Sequence, residues 1–466
     1  MSGVRMERRS LPPRRDGSSA SGDGGTLIAV IADDLTGAND SGLQFAACGL
    51  ATTVCLGNPP PGSTDGARVV VFDTETRGLD EARVPPLVAA MARRIRAGDF
   101  AHVYKKIDST MRGHVGLEIG IAAREMDARC VFLTPAYPAM KRTVENGRLM
   151  VDGVPVDQTP IARDPGSPVS SADLVALVSP GMPGLSCRVV PVSEPAERPE
   201  RLADRLRADL AAGKRTCLIF DAASEADLAA VAAFGARVEA ETGGPVLWAG
   251  SAGLAAHLPA AWGIPAATPP GPTLPAATRP PLLVTGSVNP VSNAQATAAA
   301  ARMGLHPVVL CPDILLEDGP ARRQEIARGA EGLRSRIAAG DRALLLTTAH
   351  ERPDVDRVLS LAGRLGLDRG STGQHIASGL AEAAAALVAE GRVDRLVATG
   401  GDTSCALMTK LRIAAMHIRG AIAPGVPLIG AGERDAWHII TKAGGFGSPE
   451  TLADALNFLL NGRLDE

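Results

Sequence analysis

The chain has 466 residues, 45% hydrophobic and 21% charged, with a formal net charge of -3. That length exceeds what one core usually holds and the apolar content is that of a soluble globular protein, so two domains are expected. The near-neutral balance argues against a nucleic-acid or anionic-membrane surface, and no apolar stretch approaches the length of a membrane span.

Residues 1–26 carry five arginines and then a Gly/Ser/Asp run. They lack the apolar centre of a secretory signal and read as a disordered tail. Seven cysteines, at 48, 55, 130, 187, 217, 311 and 405, form no C-x-x-C pair and no metal-ligand spacing. Such a scattered, odd set fits thiols in a reducing cytosol, and a cytoplasmic location is expected.

Residues 26–40, TLIAVIADDLTGAND, run from an apolar strand into Asp33 and Asp34. Leu43, Ala46, Ala47 and Leu50 then recur at helical spacing, so a helix follows. Two carboxylates at a strand-to-helix edge stand where open α/β sheets bind ligands. The plain alternative is a turn in which Asp34 or Thr36 caps the helix. VVVFDTETRG ends a second strand and presents Arg77, placed either to clamp a carboxylate or phosphate bidentately or to pair locally with Glu75. YKKIDSTMRG crowds Lys105, Lys106, Asp108, Ser109, Thr110 and Arg112 at a third strand end, a set suited to an anionic, hydroxyl-rich ligand. Strand alternation points the two lysines to opposite faces, so only one reaches the cleft. A structural turn capped by Asp108 is the alternative there. LTPAYPAMKRTVENGRLMVDGVPV supplies a rigid loop and a hairpin, serving as a pocket wall or as architecture.

The Pro-rich stretch 264–281 reads as a semi-rigid linker between an N-terminal domain, 27–263, and a C-terminal domain, 282–466. Beyond it, three strand ends carry glycine turns: Gly286-Ser287, Thr399-Gly400-Gly401-Asp402-Thr403, and Gly444-Gly445 after Lys442. Turns of this kind expose backbone N–H groups to anions, and three together suggest a nucleotide cradle. No G-x-x-x-x-G-K-[ST] is present, which excludes a P-loop, and no G-x-G-x-x-G follows a strand. Apolar strands spaced by helices on both sides of the linker predict two α/β domains with mainly parallel sheets and an interdomain active-site cleft.

ADDLTGAND, DTETRG, KKIDSTMRG, TPAYPAMKRTVENG, ARDPGSPV, GSAGLA, TGSVNPVSNAQ, ATGGDTS, GAIAPGVPL and TKAGGFG occur in this order from about residue 27 to the C-terminus. The ordered set resembles the four-carbon acid sugar kinases. The resemblance implies ATP-dependent phosphorylation of the terminal hydroxyl of threonate, erythronate or 3-oxo-tetronate. By motif, it places Asp33, Arg77 and the KKIDST segment on the sugar-acid side, and Ser287, residues 399–402 and Gly444 on the nucleotide side. Lys141 and Ala421 depart from the family pattern, which has glycine and glutamate there. The combined expectation is a kinase whose partners are a sugar acid and ATP, with neither nucleic acid nor membrane and with room for a homo-oligomer. Arg77 and a KKIDST cation grip the carboxylate, and Asp33 (Asp34 as second choice) accepts the hydroxyl proton. Asp402 helps hold Mg²⁺ through water, and the domains close about the linker. A sugar-acid-binding regulator and a Mg-dependent sugar-phosphate hydrolase are the alternatives; an ATP-coupled assay separates all three.

Overall fold

The computed structural model describes residues 27–464 except 58, 165, 243–244, 266, 268, 270, 287–288 and 349–351. The expected tail, 1–26, and the nucleotide-side Ser287 therefore lie outside the described residues. The first half supplies β1 (Ile28–Ala32), β2 (Thr52–Leu56), β3 (Val69–Asp73), β4 (His102–Lys106) and β5 (Cys130–Thr134). A small antiparallel sheet follows, of β6 (Arg142–Glu145), β7 (Arg148–Val151) and β8 (Val154–Pro155). Its two turns, Asn146-Gly147 and Asp152-Gly153, hold positive φ at both residues, the backbone that tight hairpins require. Next come β9 (Ser186–Val190), β10 (Thr216–Phe220) and β11 (Val246–Gly250). The second half adds β12 (Leu282–Thr285), β13 (Val308–Leu310), β14 (Leu344–Thr348), β15 (Arg395–Thr399), β16 (Ala415–Ala423), β17 (Val426–Ala431) and β18 (Trp437–Lys442).

Except for β6–β8, these strands form one fifteen-stranded sheet in the order β13-β14-β12-β15-β18-β17-β16-β2-β3-β1-β4-β11-β5-β10-β9. Each half is a parallel block, as expected from its apolar strands and intervening helices. The sequence reading, however, does not contain the junction between them. There β16 and β17 run antiparallel to each other, β17 to β18, and β16 to β2, with Met416 opposite Val54. One hydrophobic core also runs through both halves, from Ile31 and Phe45 to Met408 and Ile439. Rigid closure about the linker alone would break the β2–β16 pairing. The linker itself is laced down: Ala267 N–H bonds the Cys48 carbonyl at 3.2 Å, and Leu274 and Ala277 bond Gly462 and Leu460 at 2.8 Å each.

The antiparallel junction reverses the direction of the second block. Six strand steps separate β1 from β15. At roughly 20–25° of twist per step, this turns the sheet by roughly 120–150° and brings the C-terminal edges of β1 and β15 toward one another. The helix α1 (Leu35–Ala47) packs over the junction, and Asn39 reaches Thr441 beyond it, Nδ2 to Oγ1 at 3.2 Å. Both candidate edges thereby open onto one cleft.

Candidate functional site

At the first edge, Asp34 is the N-cap of α1: its Oδ1 accepts from Gly37 N–H at 2.9 Å. The capping alternative thus holds for Asp34. A Cβ on Gly37 would sit 2.6 Å from that oxygen and 2.9 Å from Lys106 Nζ, so a side chain there would displace both groups. Arg77 lies between the two acids. Its Nε and Nη2 bond Asp33 at 2.7 and 2.9 Å, and its Nη1 bonds Asp34 at 2.5 Å. The expectation of a freely presented bidentate clamp needs correction, because three of the five guanidinium N–H groups already serve the acids. The other two make no hydrogen bond among the described residues, although Nη1 also lies 4.0 Å from Asp108 Oδ1. The Asp33 carbonyl also accepts from Thr76 and Arg77 N–H, at 2.9 and 3.1 Å, which stitches the β3 loop to the β1 edge.

These contacts separate the two carboxylates. Burial would raise Asp33, but Arg77, Lys105 and Lys106 outweigh it and hold the group below its ordinary range. Asp34 is raised: burial dominates over Arg77, and Asp33 adds repulsion. Its side chain is also the more accessible, 18% exposed against 4% for Asp33.

Only Lys106 belongs to this edge. Its Nζ donates to the Ile107 carbonyl at 2.8 Å, beside the α1 N-terminus. Lys105, expected as a substrate-binding candidate, points the other way. Its Nζ pairs with Glu118 at 2.8 Å with both side chains 1% exposed, and Glu118 also accepts from Thr76 Oγ1 at 2.8 Å. It braces the edge from beneath. Asp108, Thr110 and Arg112 are likewise spent on one another: Asp108 accepts from the Thr110 hydroxyl and from Arg112 Nε and Nη2, at 2.9 and 3.1 Å for the latter pair. Burial opposes its charge, but Arg112 and Arg77 hold Asp108 well below the usual carboxylate range. They shape the loop that presents the half-buried Ser109.

At the second edge, Gly400 takes φ 97°, a conformation suited to glycine, and begins the helix Gly401–Lys410 with no side-chain cap. The first N–H groups of that helix are left for a ligand, where its dipole favours an anion. A Cβ on Gly401 would lie 3.4 Å from Thr36 Oγ1, so the glycine turn directly faces the start of α1. Gly286 lies beside Thr403, and Gly444 beside Asn289, the N-cap of the helix Pro290–Met303. The site of a Cβ on Gly445 is open space. Thr399 is fully buried and bonds Ser292, so it serves the framework.

Asp402 is exposed at the start of its helix, and partial desolvation by the surrounding chain, with Glu75 and Asp164 nearby, raises its carboxyl. Glu75 reaches both halves, accepting from Leu35 N–H at 2.9 Å and from Cys405 Sγ at 3.3 Å. Among the described residues no three acid, histidine or cysteine side chains converge as a metal cage. One or two carboxylates beside a phosphate seat are the donors Mg²⁺ ordinarily takes from protein, and Asp402 with Glu75 fits that pattern. Glu75, Glu118, Asp164, Ser292 and Gln295 were not among the sequence candidates. Glu118 carried a signal, a lone acid inside the apolar helical run VGLEIGIA. Among the described residues no helix is long and apolar enough to cross a membrane.

The chain is similar to known proteins over most of its length. Residues 28–258 match the sugar-binding N-terminal domain family, and residues 282–452 match the nucleotide-binding C-terminal domain family. A D-threonate kinase of Bordetella bronchiseptica is 32% identical over 93% of this chain and 97% of its own. A D-threonate kinase of Salmonella typhimurium is 31% identical over 93% and 98%. A 3-oxo-tetronate kinase of Cupriavidus necator is 29% identical over 93% and 97%. The fold is shared with a crystal structure of a Haemophilus influenzae protein at a TM-score of 0.70 and 21% identity, over 93% of this chain and all of that one.

Proposed function

The chain belongs to the four-carbon acid sugar kinases, and we propose that it transfers the γ-phosphoryl group of ATP to the terminal hydroxyl of a four-carbon sugar acid, D-threonate first among them. The observation that carries this reading is the apposition of Gly401 to Thr36, which sets an uncapped helix N-terminus against the acid-bearing edge. Phosphoryl transfer is accelerated chiefly by position and by electrostatic stabilisation of the transferred group. Lys106 and the two spare N–H groups of Arg77 grip the sugar-acid carboxylate, and Ser109 meets its hydroxyls. Asp34 accepts the proton of the attacking hydroxyl, because it is the more basic and more accessible acid of the pair. Asp33 keeps Arg77 in place. The backbone at Gly286, Gly400, Gly401, Gly444 and Gly445, with Thr403, seats the phosphates. Asp402 and Glu75 would hold Mg²⁺, which supplies charge neutralisation on the β- and γ-phosphates when bound. The higher identity to the two D-threonate kinases supports D-threonate as substrate.

An assay that couples ADP formation to a panel of D-threonate, D-erythronate and 3-oxo-tetronate tests the reading. ADP release dependent on one of these acids is expected. Release of phosphate from a sugar phosphate without ATP, or sugar-acid binding with no turnover, would overturn it.

A further inference from the structure

Lys442 closes β18 and is 2% exposed, yet among the described residues its Nζ meets no carboxylate. It donates instead to the carbonyls of Ala443, Gly444 and Phe446, at 2.8, 3.0 and 3.2 Å, and to Ser292 Oγ at 3.4 Å. Ser292, itself fully buried, bonds the Gly444 carbonyl at 2.8 Å and Thr399 Oγ1 at 3.1 Å. Gln295, one turn along the same helix, bonds the carbonyls of Phe446 and Ser448 at 3.0 and 2.7 Å. The backbone closes the circuit: Gly400 N–H bonds the Lys442 carbonyl at 2.9 Å.

An ammonium buried among carbonyls does what a bound cation would do. It draws the oxygens of the 443–446 loop inward and leaves open space at Gly445. Through Ser292, Thr399 and the Gly400 N–H the same network reaches the Gly400-Gly401 turn. We propose that Lys442 is a positioning residue for nucleotide binding: its ammonium is the internal cation that locks the Gly400-Gly401 and Gly444-Gly445 turns into one phosphate-receiving surface. The proposal rests on the reading that these turns hold the nucleotide.

The lock is sensitive to protonation. Burial alone pulls Lys442 down to about 8, with no charged group contributing. Its described surroundings are Ser292 and Gln295 from the helix Pro290–Met303, Thr399 from β15 and the loop carbonyls. Loss of the proton weakens its hold on the carbonyls, so nucleotide affinity should fall as pH rises through that value. Binding that requires the protonated form loses about tenfold per pH unit above it.

Calorimetry with ADP and with D-threonate on full-length protein tests this, using the wild type, Lys442→Met and Gly401→Val. The wild type should lose ADP affinity about tenfold per pH unit above pH 8. Lys442→Met should bind ADP at least 30-fold more weakly at pH 7, without that pH dependence, and should keep D-threonate affinity within twofold. If Gly401→Val loses ADP while Lys442→Met binds it within threefold of wild type, Lys442 is only core filling and the inference falls. If Gly401→Val also binds ADP normally, the turns are not the nucleotide site and the reading beneath falls with it. Should Lys442→Met fail to fold, the wild-type pH titration decides alone: a flat profile from pH 7 to 9.5 overturns the proposal.

Discussion

The two edges of the cleft are built from different materials. The β1–α1 edge is made of charged side chains, with Arg77 between Asp33 and Asp34 and Lys106 beside Gly37. The opposite edge is made of backbone, with Gly400, Gly401, Gly444 and Gly445 set over buried Thr399, Ser292 and Lys442. Side-chain sites discriminate by charge and shape and suit a small, specific anion. Backbone sites offer dipoles without bulk and suit phosphates, which nucleotides share. A mutation at the first edge should therefore act on the acid or on turnover, and one at the second on the nucleotide.

The largest expected effect lies at the first edge. Asp34→Asn preserves the helix cap, since asparagine caps as well as aspartate, but removes the proposed proton acceptor. Turnover should fall about 100- to 10,000-fold while ADP affinity stays unchanged. Steady-state kinetics with calorimetry will show it, and a greater loss in Asp33→Asn would exchange the roles of the two acids.

The paired lysines sharpen the contrast within that edge. Lys105→Met strands a buried Glu118 and should cost about 3–5 kcal/mol of stability in denaturant unfolding. Lys106→Met should instead raise the KM for the sugar acid with stability nearly unchanged. Equal stability losses would place both lysines in the framework.

The ends of β1 and β15 are readable because the apolar IAVIA stops at Asp33 and Asp34, and the apolar LVA of β15 stops at Thr399 and two glycines. The junction is not. Residues 415–431 mix His417 and Arg419 with glycine and shift register between Ile418 and Gly420, so no clean period survives. Their partner β2 lies over 350 residues away, and local pattern carries no such pairing. Which lysine faces the cleft could not be read either, because strand alternation permits both answers. Only the buried Glu118 beneath the sheet decides it. Arg77 and Asp33 each look like ligand-binding groups along the chain; that they bind one another emerges only when the β1 and β3 ends meet.

A smaller effect probes the cost of crowding acids at this edge. Burial, with Asp34 and Asp108 nearby, raises Asp40 from 3.8 to about 6 against the pull of Lys106. The folded state then holds a proton that the unfolded chain has released, so this group takes stability away as pH rises from about 4 to 6. Asp40→Asn should raise stability by about 2–3 kcal/mol at pH 8. That gain should vanish near pH 4, as unfolding curves at the two pH values will reveal. A gain of equal size at both would assign it to packing.

The division of labour between the edges is tested most directly by calorimetry of full-length Gly401→Val with each ligand in turn. A branched side chain there projects toward Thr36 across the cleft, where the proposed nucleotide phosphates meet the helix N-terminus. ADP binding should be lost and D-threonate binding largely retained. Lost D-threonate affinity with normal ADP affinity would contradict the account and exchange the roles of the two edges.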